Sequence, residues 1–176
     1  MEEKFAVGLI VTNRFGVLNR IAGLYAKRCY NIDSLSVGVT ENPEYSRITI
    51  VSTGDEYMRD QVVRQLEKLI DVKSVALLEP ENTVFAQHMF IKMHLTGTER
   101  GSSKHQVLAL INQYGGKVAD FGEEHLTAEI TGTAEKVESF VEKVRPFGIL
   151  ELSRSGDIAL GLGIENTLSV EKNKEE

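Results

Sequence analysis

The chain has 176 residues, of which 41% are hydrophobic and 26% charged, a balance expected of a soluble globular protein and too apolar for a disordered one. Its formal net charge is -6, with 20 basic against 26 acidic side chains, which counts against binding nucleic acid through phosphate neutralisation. No apolar run approaches the roughly 20 residues needed to cross a bilayer, and the single cysteine, Cys29, permits no intrachain disulfide, so a reducing, cytoplasmic setting is expected.

The opening Met1-Glu2-Glu3-Lys4 leads straight into an alternating segment and does not read as a signal peptide. Phe5, Val7, Leu9 and Val11 fall on one face of a strand at period two. The period then changes: Val17, Ile21, Leu24 and Tyr25, with Leu18 beside them, make an apolar helical stripe predicted to end near Tyr30. Asn13 reads as a cap or turn residue before that helix, Gly16 as a tight bend, and Asn31 as the stop after it. A hairpin is predicted over residues 33–53, with Leu35, Val37 and Val39 alternating before the turn Glu41-Asn42-Pro43-Glu44 and Ile48 and Ile50 after it. Asp55 is the predicted N-cap of a second helix carrying Met58, Val62, Leu66, Leu69 and Ile70, and Val72, Val75 and Leu77 close the sheet. The order is βαββαβ, the ferredoxin-like pattern.

Glu79-Pro80-Glu81-Asn82 reads as a linker, after which the order repeats. Met89, Ile91, Met93 and Leu95 alternate, and Ser102 or Ser103 is a candidate cap for a helix carrying Val107, Leu108, Ile111 and Tyr114. Gly115-Gly116 has the character of a helix C-cap. Val118 and Phe121, then Leu126, Ala128 and Ile130, give paired strands, and Thr133 caps a helix with Val137, Phe140, Val141 and Val144. Ile149, Leu150 and Leu152 form a last strand, extended by Ile158, Leu160 and Leu162. The expected class is therefore α+β, with two ferredoxin-like domains over residues 1–79 and 83–164 and a disordered tail over residues 165–176. Each half is small for a self-sufficient core, and a sheet with helices on one face leaves its other face and edges to be covered, so a homodimer at least is predicted.

No catalytic constellation stands out. There is no Cys-x-x-Cys, His-Glu-x-x-His or Walker loop. His88 and His94 share a strand face but lie too far apart to chelate one ion, and His105 and His125 have no neighbour at ligand spacing. Gly161-Leu162-Gly163 lacks the strand-to-helix context of a dinucleotide fingerprint. Arg14, Arg20, Lys27 and Arg28 make the first helix basic, as a solvated face or as a surface for an anionic partner.

The most informative stretch is Asn13-Arg14-Phe15-Gly16-Val17-Leu18, followed after the helix by Tyr30-Asn31-Ile32. A helix start carries unpaired N–H groups and partial positive charge, which suit a carboxylate, and Gly16 has no side chain to shield them. Asn13 and Asn31 both donate and accept hydrogen bonds, matching an amino acid's ammonium and carboxylate, and Val17, Leu18 and Ile32 offer an apolar wall for an aliphatic side chain. By spacing alone the same residues read equally as a turn glycine, a capping asparagine and a helix stop.

At these residues the sequence resembles the regulatory (small) subunits of acetolactate synthase, also called acetohydroxyacid synthase. The resemblance runs through Asn13-x-x-Gly16-Val17-Leu18-x-Arg20-Ile21-x-Gly23-Leu24, Arg28-x-Tyr30-Asn31-Ile32-Asp33-Ser34-Leu35, Ser46-Arg47-Ile48-Thr49-Ile50 and Gln65-Leu66-x-Lys68-Leu69-Ile70-Asp71-Val72, and in the second half through Gly132-Thr133 and Arg154-Ser155-Gly156. It covers roughly residues 4–163 and implies an N-terminal ACT domain, a ligand-sensing βαββαβ fold. In that family ACT domains pair and a branched-chain amino acid, typically valine, binds between them. Carried over, Asn13, Gly16, Val17 and Leu18 of one protomer and Asn31 and Ile32 of its partner hold the effector. The implied function is non-catalytic: the chain binds and activates the large catalytic subunit, which carries thiamine diphosphate, magnesium and a flavin, and confers feedback inhibition by valine. No cofactor is expected in this chain. The alternative is a free-standing ACT amino-acid sensor with no enzyme partner. One departure is that the family commonly has glycine between Arg28 and Tyr30, where this chain has Cys29, a change that bears on the position of Asn31.

Overall fold

The computed structural model describes residues 2–95, 100–164 and 166–170, with backbone alone for residues 100–103. Two compact units emerge, one of Met1–Phe85 together with the chain from Gly156 onward, the other of Ala86–Ser155.

The first unit follows β1 (Glu3–Thr12), α1 (Val17–Lys27), β2 (Ser34–Val39), β3 (Tyr45–Gly54), α2 (Glu56–Leu66) and β4 (Val72–Leu77). Its sheet runs β2-β3-β1-β4 with every neighbouring pair antiparallel, so each helix connects two parallel strands separated by one intervening strand, as in the split βαβ unit. The core is Val7, Leu9 and Val11 of β1 with Ile48 and Ile50 of β3, closed by Ile21 and Tyr25 of α1 and Val62 and Leu66 of α2. Asp55 caps α2 as predicted, accepting the Met58 N–H at 2.7 Å. Ile70, placed on the helical stripe by its spacing, lies beyond the end of α2 and is 87% exposed.

The second unit contains most of β5 (Thr83–His94) and then α3 (Arg100–Gln113), β6 (Lys117–Phe121), β7 (His125–Gly132), α4 (Ala134–Val144) and β8 (Ile149–Arg154), with strand order β6-β7-β5-β8. Its core joins Met89, Ile91 and Met93 to Ile111, Phe140 and Val144. Thr133 caps α4 through Lys136 N–H. The twofold ferredoxin-like α+β class expected from the sequence is thus the observed one. Ser102 and Ser103, the candidate caps, lie inside the first turn of α3, which begins at Arg100, and so do not cap it. Of the tail expected to be disordered, residues 166–170 are placed and Leu168 is buried beside Gly8; residues 165 and 171–176 lie outside the described residues. Among the described residues no helix is long and apolar enough to cross a membrane.

Helix α1 ends three residues before the expected Tyr30. Cys29 N–H donates to Ala26 O and Tyr30 N–H to Tyr25 O, each at 3.1 Å, the two bonds of a Schellman motif. The residue in its left-handed position is Cys29, at φ 56°, among the described residues the one non-glycine with positive φ. The same motif ends α3 with glycine in that role, Gly115 at φ 63°, through Gly115 N–H to Asn112 O and Gly116 N–H to Ile111 O. A β-carbon in this conformation costs about 1–2 kcal/mol, partly offset because glycine loses about 0.5–1 kcal/mol more chain entropy on folding. Cys29→Gly is therefore expected to stabilise the protein by about 0.5–1 kcal/mol, read as a rise of a few degrees in Tm by circular dichroism.

By sequence, residues 156–164 are expected in the second domain, with Ile158, Leu160 and Leu162 extending its last strand. In the structure β8 stops at Arg154 and a separate strand, β9 (Ile158–Gly161), pairs with β5 and groups with the first unit, which also includes the start of β5 up to Phe85. The returning chain covers the face of the first sheet opposite its helices, where Ala159 packs with Ala6, Val51 and Leu78. Arg47 Nη2 donates to Ala159 O at 2.9 Å, and burial lowers the Arg47 pKa below its ordinary value. Both faces of β1 are consequently buried.

Candidate functional site

The turn between β1 and α1 is held from outside itself. Asn13 N–H donates to Glu44 O at 2.7 Å and Asn13 Nδ2 to Pro43 O at 3.0 Å, so Asn13 pins the turn to the β2–β3 hairpin and does not cap α1. The N-cap is Gly16, at φ 83° and ψ -6° with no side-chain cap. A β-carbon built there meets no atom within 4 Å. The first helical bond of α1 runs from Arg20 N–H to Gly16 O at 3.0 Å, so Leu18 and Asn19 have no carbonyl one turn back to accept their N–H groups. This helix start is open, bare and partially positive. Arg20, one turn on, is anchored by Asp71 at 2.6 Å, and Asp71 also accepts Thr12 Oγ1 at 3.0 Å. Phe15 is fully exposed and Leu18 is 42% exposed.

At the other end of α1, Asn31 is exposed and its Nδ2 donates to Asp33 Oδ1 at 2.5 Å. Asp33 is fixed by Thr53 Oγ1, which donates to its second carboxylate oxygen at 2.7 Å, and by its own N–H to Val51 O at 2.9 Å. Ile32 is half-buried against the core.

The six residues singled out by sequence therefore form two groups. Asn13, Gly16, Val17 and Leu18 lie at the start of α1, and Asn31 and Ile32 lie beyond its end. An 11-residue helix is about 16 Å long, too far for one small amino acid to touch both groups within one chain. Val17 departs from its expected part: its side chain is 4% exposed and belongs to the core, and its N–H donates to Arg14 O at 3.4 Å. The residues that hold the two asparagines, Asp33, Thr53 and the Pro43 and Glu44 carbonyls, escaped the sequence reading. Asp33 carried a local signal, a short acceptor two positions after Asn31; the others depend on strand register.

The histidines have ordinary partners: His88 Nδ1 lies 3.0 Å from Thr131 Oγ1 and His125 Nε2 2.9 Å from Asp120 Oδ2. Among the described residues no group of three or more His, Cys, Asp or Glu side chains is placed to hold a metal ion. The Tyr25 hydroxyl is pushed far above its ordinary pKa by burial, with Ser52 opposing the shift; it lies in the core and serves packing.

Residues 7–74 match the family described as the AHAS small subunit-like ACT domain, and residues 86–163 match the family described as the small subunit of acetolactate synthase. The acetolactate synthase small subunit of Aquifex aeolicus is 38% identical over 157 residues, covering 89% of this chain and 80% of that protein. The chain belongs to the acetolactate synthase small-subunit family. The Bacillus subtilis acetolactate synthase small subunit is 35% identical over 170 residues, 96% of each chain. The crystal structure of the small subunit from Thermotoga maritima superposes with a TM-score of 0.83 at 30% identity, covering 93% of this chain and 99% of that one. The start of α1 and Asn31 both lie within the residues of the ACT match.

Proposed function

We propose that this chain is the non-catalytic regulatory subunit of acetolactate synthase, a cytoplasmic protein that pairs through its ACT unit, binds and activates the large catalytic subunit, and suppresses it when a branched-chain amino acid, valine first among them, binds between two ACT units. The observation that carries this reading is the bare start of α1 at Gly16, with φ 83° and open space where a side chain would stand. It suits a carboxylate, while Asn31 presents a polar head to the amino acid's other charged group. Because the two groups are separated along α1, this reading has the loop of one protomer and the post-helix segment of its partner hold the effector together.

The outer edge of β2 supports that pairing. In the described residues β2 has one strand neighbour, β3. Val37 pairs with buried Ile48 and so faces the helix side of the sheet, yet it is 49% exposed, and Val39 is 60% exposed. An edge with aliphatic residues that its own helices leave uncovered is suited to a partner strand. Regulation then needs only that valine prefer one state of the complex, and a tenfold preference corresponds to about 1.4 kcal/mol.

The test is calorimetric titration of valine into the purified full-length chain, with reconstitution of the catalytic subunit in parallel. Saturable binding and valine-sensitive activation are expected. Asn31→Ala is expected to weaken valine by about one to two orders of magnitude, since one hydrogen bond to a charged group is worth roughly 1.5–3 kcal/mol, without loss of pairing by sedimentation. No heat of binding in the wild-type chain rules out the effector reading; failure to activate rules out the subunit reading.

A further inference from the structure

Within the first unit, the returning chain after Ser155 meets β2 beside the Asn31 half-site. Asp157 N–H donates to Ser34 Oγ at 3.0 Å. Gly156 lies so close to the base of β2 that a β-carbon there would stand 2.6 Å from Ser34 Oγ and 2.8 Å from the Leu35 carbonyl carbon and oxygen. Real β-carbons do not approach backbone that closely, so this position admits glycine for steric reasons, with no call on left-handed backbone. Further along, Arg47 grips Ala159 O, and Ala159 is 1% exposed. The sheet is shaped to receive this strap. By register, Ser34, Ser36 and Gly38 of β2 and Ala6 and Gly8 of β1 share the face it crosses, and all are small.

The segment immediately before Ser34 is Asn31-Ile32-Asp33, with Asn31 bonded to Asp33 and Asp33 fixed to β3 at Val51 and Thr53. Val51 is also the residue paired with Ser34 and packed against Ala159 of the strap. The strap therefore acts on the same few residues that position Asn31. We propose that Gly156–Gly161 is a positioning strap for the Asn31–Ile32 half of the effector site, with Gly156 and Ser34 its fixing points, so that strap docking and effector binding strengthen one another. The proposal rests on the effector reading given above. It does not place any strap residue against the ligand: Ser34 and Gly156 act through Asp33 and the base of β2. Reciprocity follows from thermodynamic linkage: if the docked strap tightens binding by some factor, bound effector favours docking by the same factor.

Hydrogen exchange tests this on the full-length protein, using valine as the probe. Saturating valine is expected to slow exchange of the Asp157 amide about tenfold in the wild type. Ser34→Ala is expected to lose that protection and to weaken valine about fivefold by calorimetry. Gly156→Val is expected to weaken it tenfold or more at temperatures well below its melting transition. A merely structural strap would lower Tm in both variants while leaving the valine Kd and the valine-dependent protection of Asp157 unchanged, and that result overturns the proposal. If Gly156→Val does not fold, Ser34→Ala decides by the same criteria. A wild-type chain that binds no valine removes the effector reading and this inference together; one that binds valine with Asp157 exchange unaltered removes this inference alone.

Discussion

Gly16→Asp is expected to abolish the response to valine while leaving a folded, paired protein that still activates its catalytic subunit. The position is unusual in offering room without tolerance for charge. Nothing lies within 4 Å of a β-carbon there, so the new side chain displaces no core atom. Its φ of 83° imposes a strain of about 1–2 kcal/mol on any residue but glycine, although aspartate is among the residues that enter the left-handed region most readily. The carboxylate would then occupy the end of α1, where the helix dipole and the Leu18 and Asn19 N–H groups favour an anion. It satisfies those donors from within and repels the ligand's own carboxylate, so both effects act against binding. The expected loss in valine affinity is a hundredfold or more, about 2.7 kcal/mol, read by calorimetry. Gly16→Ala carries the same strain without the charge and is expected to retain measurable binding with a similar fall in Tm. Equal loss in the two variants would mean that backbone geometry, and not the anion site, governs the effect; unchanged binding in both would remove Gly16 from the site.

The sequence disclosed what depends on local pattern. The change from period two at Phe5–Val11 to helical spacing at Val17–Tyr25 placed β1 and α1, and the Asp55 and Thr133 caps fell where side-chain chemistry put them. The end of α1 was less legible, because a cysteine rarely takes the left-handed cap position and so gave no stop signal ahead of Asn31. Of the two roles open to Asn13, cap or turn residue, the structure shows the second, and local sequence does not decide between them because its partner, the Pro43 carbonyl, is 30 residues away. The largest omission is the strap. Period-two reasoning assumes one solvated face, yet the run Phe5-Ala6-Val7-Gly8-Leu9-Ile10-Val11 is apolar at every position, the pattern of a strand buried on both sides. What covers its second face comes from more than 140 residues downstream, and no local rule connects Gly8 to Leu168. The candidate site was legible in its residue types and not in its supports, since types follow from chemistry and supports from register.

Phe140→Ala is expected to separate the two units energetically. Phe140 is fully buried at the centre of the second unit and meets Tyr114 edge-to-face with ring centroids 5.2 Å apart. Truncating such a residue costs about 3–5 kcal/mol through lost burial and the cavity left behind, part of it from the aromatic pair, worth about 0.5–1.5 kcal/mol. Small domains hold only about 5–15 kcal/mol in all, so the second unit is brought close to unfolding. Amide protection in β5 and β7 is expected to fall by roughly a hundred- to several-thousandfold, because each 1.4 kcal/mol is a factor of ten. Protection in β1 and β3 should fall far less, since their core shares no residue with the second one. Valine affinity is expected to stay within about threefold of wild type by the same linkage reasoning: the strap docks on the first sheet, and its contacts with Ser34, Leu35 and Arg47 all belong to the first unit. Equal loss of protection in both sheets would make the whole chain one cooperative unit, and valine affinity would then fall with the stability of the second unit.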